Sequence, residues 1–167
     1  KPALRRAMAA TSNRNASTLV VADHDNTALN GGTLSVITAA KQIGGDVTVL
    51  VAGEGCEAVA NEVAQVEGVS NVLLADDAAY GHGVAENLTE LVLACQSENN
   101  YSHLVAGGSN TGKNMIPRVS AALDTDPIVE ILSVEGENTF TRPMYAGNAI
   151  ATVTSEADVK VISVRAT

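Results

Sequence analysis

Short apolar runs alternating with amphipathic helical segments constrain this chain more than any other feature. Thr18 to Ala22 is an apolar run closed by Asp23 and reads as a buried strand. Val36, Ile37, Ala40 and Ile43 then recur at helical spacing until Gly44-Gly45 stops the helix. Val47 to Val51 is a second strand, and Val59, Val63 and Val66 mark a second helix ended by Gly68. Asn71 to Ala75 is a third strand, and Leu88, Leu91, Val92 and Cys95 trace the next helix. His103 to Ala106 is a fourth, followed by Gly107-Gly108 and a helix with Met115, Val119 and Ala122 on one face. Strands that stay apolar throughout are buried on both sides, so the pattern predicts a parallel sheet covered by helices. Right-handed crossovers then leave only Rossmann-like topologies.

The pattern changes after Asp124. Pro127 to Val134, Thr139 to Ala146, Ala149 to Thr154 and Val159 to Val164 read as strands with no helix between them. Gly147-Asn148 is a hairpin-turn signal. The expectation is one α/β domain over residues 18–167, a parallel core with an added antiparallel ribbon, preceded by a basic leader at 1–17.

Charge separates these two parts. Lys1, Arg5, Arg6 and Arg14 lie in the first 22 residues, which hold no acid. The rest carries 6 basic against 19 acidic residues, a net of −13 within a whole-chain −9. An acidic body disfavours a phosphate backbone, and four aromatic residues (Tyr80, Tyr101, Phe140, Tyr145) supply no row of stacking platforms. Nucleic acid is therefore not an expected partner. The Arg-rich, Ser/Thr/Ala-rich leader resembles the end of a mitochondrial targeting segment, with an ordinary solvated tail as the alternative. Polar residues interrupt every apolar stretch before it could span a bilayer, so membrane insertion is not expected. Cys56 and Cys95 are isolated from each other and from histidine, which predicts reduced, half-buried thiols and an intracellular redox setting.

Candidate sites are few. Gly107 to Asn114 approaches the phosphate-loop pattern, but Asn114 stands where a magnesium-binding hydroxyl belongs. Pro117 follows Lys113 by four residues, which predicts a helix starting near Ile116 and leaves Lys113 in a loop. His24, beside Asp23, Asp25 and Asn26, reads as a solvated turn former, and His82 between two glycines as loop. His103 reads as a structural histidine. No catalytic constellation and no metal site emerge. Arg142, Tyr145 and Asn148 stand apart: Pro143 favours an edge or bulge, and Arg and Tyr are enriched at interface hot spots. The alternative is a Tyr closing the core and an Arg paired to an acid.

Two strings carry a family resemblance: Gly112-Lys-Asn-Met-Ile-Pro-Arg-Val119 and Arg142-Pro-Met-Tyr-Ala-Gly-Asn-Ala149. With Thr18-Leu-Val-Val-Ala-Asp23, Leu34 to Gly45 and Leu50-Val-Ala-Gly53, the chain from Thr18 to Thr167 resembles the amino-terminal domain of the electron transfer flavoprotein α subunit. The resemblance implies a three-layer, Rossmann-like (adenine nucleotide α hydrolase-like) fold. It implies a non-enzymatic electron carrier, a heterodimer with a β subunit and one FAD. Such a carrier takes electrons from acyl-CoA and other dehydrogenases to a membrane quinone oxidoreductase, in the mitochondrial matrix or the bacterial cytoplasm. Because that family holds FAD chiefly in a following domain, FAD is not expected on this chain alone. A competing reading is a stand-alone nucleotide-binding domain similar to universal stress proteins, with ATP or AMP at Gly107 to Lys113.

Overall fold

The alternating apolar runs become the strands of a single parallel sheet. The structure, a computed structural model, describes residues 16–165, so most of the basic leader lies outside the described residues. In chain order the first half comprises β1 (Ser17–Val21), α1 (Gly31–Ile43), β2 (Asp46–Gly53), α2 (Glu57–Ala64) and β3 (Asn71–Asp76). Then come α3 (Ala85–Asn99), β4 (His103–Gly107), α4 (Asn110–Ala122) and β5 (Ile128–Ile131). The last part is β6 (Ser133–Gly136), β7 (Thr139–Met144), β8 (Ala149–Thr154) and β9 (Lys160–Val164). The parallel sheet has the order β3-β2-β1-β4-β9-β5, and β6-β7-β8 form a separate antiparallel sheet.

Side-chain alternation distributes the core between two layers. Val20, Val49 and Val105 meet α1 through Val36, Ile37 and Ala40, and α2 through Val59 and Val63. Leu19, Leu50 and Leu104 meet α3 through Leu88 and Val92, and α4 through Met115, Ile116 and Val119. Gly44 and Gly45 end α1 at φ 96° and 75°, conformations that a side chain resists.

The sheet order explains the position of the antiparallel sheet. The step from β5 back to β9 runs in the same direction as β1 to β2, so a right-handed crossover must cover the face that bears α1 and α2. The β6-β7-β8 sheet fills this slot in place of a helix, and Phe140, Val134 and Val153 pack into that layer of the core.

Three expectations needed correction. Pro127 to Val134 is not one strand: it breaks at Leu132 into β5 and β6, which belong to different sheets. Glu130 adopts φ 56°, and the β5–β9 register shifts between Ile128 and Ile131, a bulge that turns the chain out of the parallel sheet. The 159–164 strand, β9, joins the parallel core between β4 and β5. Finally, α4 starts at Asn110, not near Ile116, and carries Pro117 in its interior. Ser109 caps it, with the Gly112 amide donating to Ser109 Oγ (3.2 Å). An interior proline costs about 3 kcal/mol. Full burial of Met115, Ile116 and Val119, at about 1.5–3 kcal/mol each, outweighs this.

His103 is structural, as its position suggests. It is buried, with Nε2–H donating to the Glu137 carbonyl (2.7 Å), and Nδ1 lies 2.8 Å from Ser102 Oγ. Burial is the main cause lowering its pKa below 6.5, and Lys160 adds to it, while the carbonyl and carboxylate of Glu137 oppose. The unfolded chain therefore binds the proton more readily. The contribution of His103 to stability is complete above pH 6.5 and is lost as the pH falls toward the depressed folded value. Thermal melts should show a falling Tm below pH 6.5, and His103→Gln should flatten that limb. An unchanged acid limb would remove His103 as its cause.

Candidate functional site

Two anchors orient the antiparallel sheet relative to the parallel one. At the start of β4, His103 holds Glu137; at the end of β5, the Leu132 amide donates to the Thr141 carbonyl (2.8 Å). β7 therefore runs toward the carboxyl-terminal edge of the parallel sheet, and the β7–β8 turn lies at that edge. In open α/β sheets this is the edge that carries function.

The turn itself is under strain. Met144 pairs with Ala149, so Tyr145 to Asn148 form a four-residue connection; the sequence had suggested that β7 would continue to Ala146. Tyr145 and Ala146 take φ 51° and 55°, left-handed conformations costing about 1–3 kcal/mol each for residues with a side chain. Asn148 offsets part of this cost. Its amide and its side-chain Nδ2 both donate to the Tyr145 carbonyl (3.1 and 2.9 Å). The turn presents Tyr145 at 78% exposure, flanked by Ile150 at 60% and by Met144. Tyr145 thus does not close the core.

Arg142 lies just before this tip, paired with Ala151. It forms no ion pair among the described residues, and its buried Nε has no hydrogen-bond partner. Lys113, expected in a loop, closes the first turn of α4 and bonds Glu130 Oε1 at 2.9 Å. The Glu130 amide donates to Ser163 Oγ (2.8 Å), which fixes the bulge. The Lys113 bond lowers the Glu130 pKa most, and Arg165 and Arg142 act in the same direction. Sequence reasoning missed Glu130 because the only signal for it is a left-handed backbone inside an apolar strand.

The strand order reverses between β1 and β4, and a crevice of about 270 Å³ opens at the same sheet edge, lined by the end of β1 with its loop, Ala52 of β2, the 80–83 loop and Thr111 of α4. His24 and His82, read from the sequence as separate solvated loops, both line it with Asp23, Tyr80 and Thr111. Asn26 clamps the two loops. Its Nδ2 donates to the Gly81 carbonyl (2.9 Å), and its Oδ1 accepts from the Glu54 amide (3.2 Å). The Asn26 amide donates to His24 Nδ1 (3.0 Å), and burial holds the His24 pKa below 6.5 against the pull of Asp23. Among the described residues, no group of three or more His, Cys, Asp or Glu is placed to hold a metal ion. Cys56 and Cys95 are free, and burial raises both thiol pKa values. Cys56 is fully buried at the start of α2 rather than half-buried within a helix.

Residues 18–167 match the family described as Electron transfer flavoprotein domain. The chain belongs to that family. It is similar to the electron transfer flavoprotein subunit alpha of Pseudomonas aeruginosa, 55% identical over 149 residues, covering 89% of this chain and 48% of the relative. It is also similar to the probable mitochondrial electron transfer flavoprotein subunit alpha of Caenorhabditis elegans (41% over 163 residues, 98% and 49% of the two chains). The mitochondrial subunit alpha of Dictyostelium discoideum is 44% identical over 155 residues, 89% of this chain and 44% of the relative. The chain spans about half the length of the curated relatives it matches. No helix among the described residues is long and apolar enough to cross a membrane.

The family is flavin-associated, and the described residues offer a flavin only small crevices. The crevice lined by His24 and His82, at about 270 Å³, falls below the roughly 300–1,000 Å³ of ordinary small-molecule sites, and FAD is larger than most of their ligands. The Asp23 carboxylate lines the crevice and would repel a pyrophosphate.

Proposed function

We propose that this chain is the scaffold and docking half of an electron transfer flavoprotein α subunit, with FAD held by the heterodimer outside residues 16–165. The family match over residues 18–167 supports the assignment, and the strained, exposed β7–β8 tip supports docking. Tyr145 and Arg142 contact the β subunit, while Asn148 holds the turn that presents Tyr145. The complete carrier accepts electrons from dehydrogenases, including those acting on acyl-CoA, and delivers them to a membrane quinone oxidoreductase without turning over a substrate of its own. Its compartment is the mitochondrial matrix, or the cytoplasm if the source is bacterial.

The test is co-purification with the β subunit and an absorbance spectrum. The 167-residue chain mixed with FAD should stay colourless, yet retain the β subunit. Tyr145→Ala should weaken that complex by about 30-fold or more, as for an interface hot spot of about 2 kcal/mol. A stoichiometric yellow species from the chain alone, or no retention of the β subunit, would refute the assignment of roles.

A further inference from the structure

Two loops at the carboxyl-terminal edge of the parallel sheet are joined through one side chain, and a histidine holds the residue that carries it. Asn26 bridges the 80–83 loop and the residue after β2, donating to the Gly81 carbonyl (2.9 Å) and accepting from the Glu54 amide (3.2 Å). Its own amide donates to His24 Nδ1 at 3.0 Å. Asn26 stands at φ 71°, a left-handed conformation that asparagine tolerates better than most residues. Both side chains lie over Gly53, where a Cβ would meet Asn26 Oδ1 and, at 2.9 Å, His24 Cε1. The bond to Nδ1 exists only for the neutral ring, because an imidazolium carries a hydrogen on both nitrogens and accepts nothing. Protonation would set two donors against each other across that 3.0 Å contact.

We propose that His24 and Asn26 form a proton-sensitive latch on the crevice: neutral His24 keeps the two loops clamped, and protonation at Nδ1 frees Asn26, parts its loop from residues 80–83 and widens the crevice. The latch is independent of the docking role of the β7–β8 tip. The groups around His24 set its balance. Asp23 and Asp25 flank it in its own loop and favour the charged ring. Asp25 is engaged by the Thr27 hydroxyl and the Ala28 and Thr27 amides, which hold its pKa at about 2, so it stays anionic throughout. Tyr80 and His82 line the crevice from the 80–83 loop, α4 adds only the neutral Thr111, and no lysine or arginine lines it. Glu54 follows β2, its amide bound to Asn26. Burial outweighs the neighbouring carboxylates and the Ala52 carbonyl and lowers the His24 pKa below 6.5, whereas a ring freed from the latch returns toward the ordinary value. The open state therefore binds the proton more readily. The latch is strongest above pH 6.5 and is lost as the pH falls through the depressed value.

The experiment is amide hydrogen exchange of the 167-residue chain, read as protection factors on both sides of pH 6.5. The amides of Asn26 and Glu54 report the latch directly. Their protection should fall by about tenfold per pH unit below the folded His24 value, the ratio that one proton sets. The amide of Val105, in the central strand β4, should stay protected over the same range. His24→Asn should abolish the fall, since the asparagine oxygen takes the place of Nδ1 and accepts at any pH. His82→Asn should leave the fall in place. Asn26→Gly keeps the left-handed backbone but removes the clamp, so Glu54 should lose its protection at neutral pH as well. Unchanged protection of Asn26 and Glu54 in the wild type, the same acid loss in His24→Asn, or its disappearance in His82→Asn overturns the latch. So does wild-type protection of Glu54 in Asn26→Gly, a result that decides even where His24→Asn fails to fold. Parallel loss at Val105 would also overturn it, by showing global acid unfolding in place of a local opening.

Discussion

Phe140→Ala should lower the free energy of unfolding by about 3–5 kcal/mol, the usual cost of emptying a large aromatic site in a core. Phe140 is the largest fully buried side chain among the described residues and the chain's only phenylalanine. It pairs with Val134 on β6 and Val153 on β8, so it sits at the centre of the antiparallel sheet. Its ring lies edge-on to His103, with centroids 6.5 Å apart and planes at 68°, an arrangement that adds about 0.5–1.5 kcal/mol beyond area. The site is closed in by strands on one side and the parallel sheet on the other, so collapse into the cavity is limited. Urea denaturation measures the loss. Because the β7–β8 tip is held at the functional edge through β7, β-subunit affinity should fall as well. A loss below about 1 kcal/mol would mean that the antiparallel sheet is not seated on the core through this residue.

The sequence announced the parallel core because burial on both faces forces unbroken apolar runs, as in Leu19 to Val21 and Val47 to Val51. What it hid depends on long-range contacts. β9 looks like any late strand, and only the handedness of the return from β5 places it inside the parallel sheet. The break at Leu132 is invisible in an apolar run, because the left-handed Glu130 that causes it is an ordinary residue for a strand. Pro117 misled because local propensity argues for a late helix start, whereas the Ser109 cap and the burial of Met115 and Ile116 decide for an early one. Near the tip, the exposure of Tyr145 agrees with a residue outside the core, and Pro143 lies on β7 beside Arg142. The Lys113–Glu130 ion pair was not legible in the sequence, since its residues come from α4 and β5 and meet only when the sheet edge is assembled. The same holds for His24 and His82, which share a crevice only because Asn26 ties their loops together.

Gly112→Ala should destabilise the protein by about 2 kcal/mol or more, although alanine is the better helix former. The propensity gain inside a helix is about 1 kcal/mol. Against it, a Cβ at position 112 would overlap the Gly107 carbonyl oxygen, with Ser109 Oγ also close, at 3.6 Å. The obstructing atoms are the carbonyl oxygen and carbon of Gly107, backbone at the end of β4, so no rotamer change relieves the contact. The helix must move away from the sheet, and overpacking of this kind costs about 1–3 kcal/mol, or more when the backbone has to yield. Displacing α4 also carries Lys113 away from Glu130, so that ion pair loosens together with the core. Gly31→Ala provides the contrast. A Cβ there meets nothing within 4 Å at the start of α1, and the variant should be neutral or slightly more stable. Chemical denaturation of the two variants separates the effects of propensity and close approach. Equal stability of Gly112→Ala and the wild type would mean that α4 does not lie against β4 at this turn, and the placement of Lys113 beside Glu130 would fall with it.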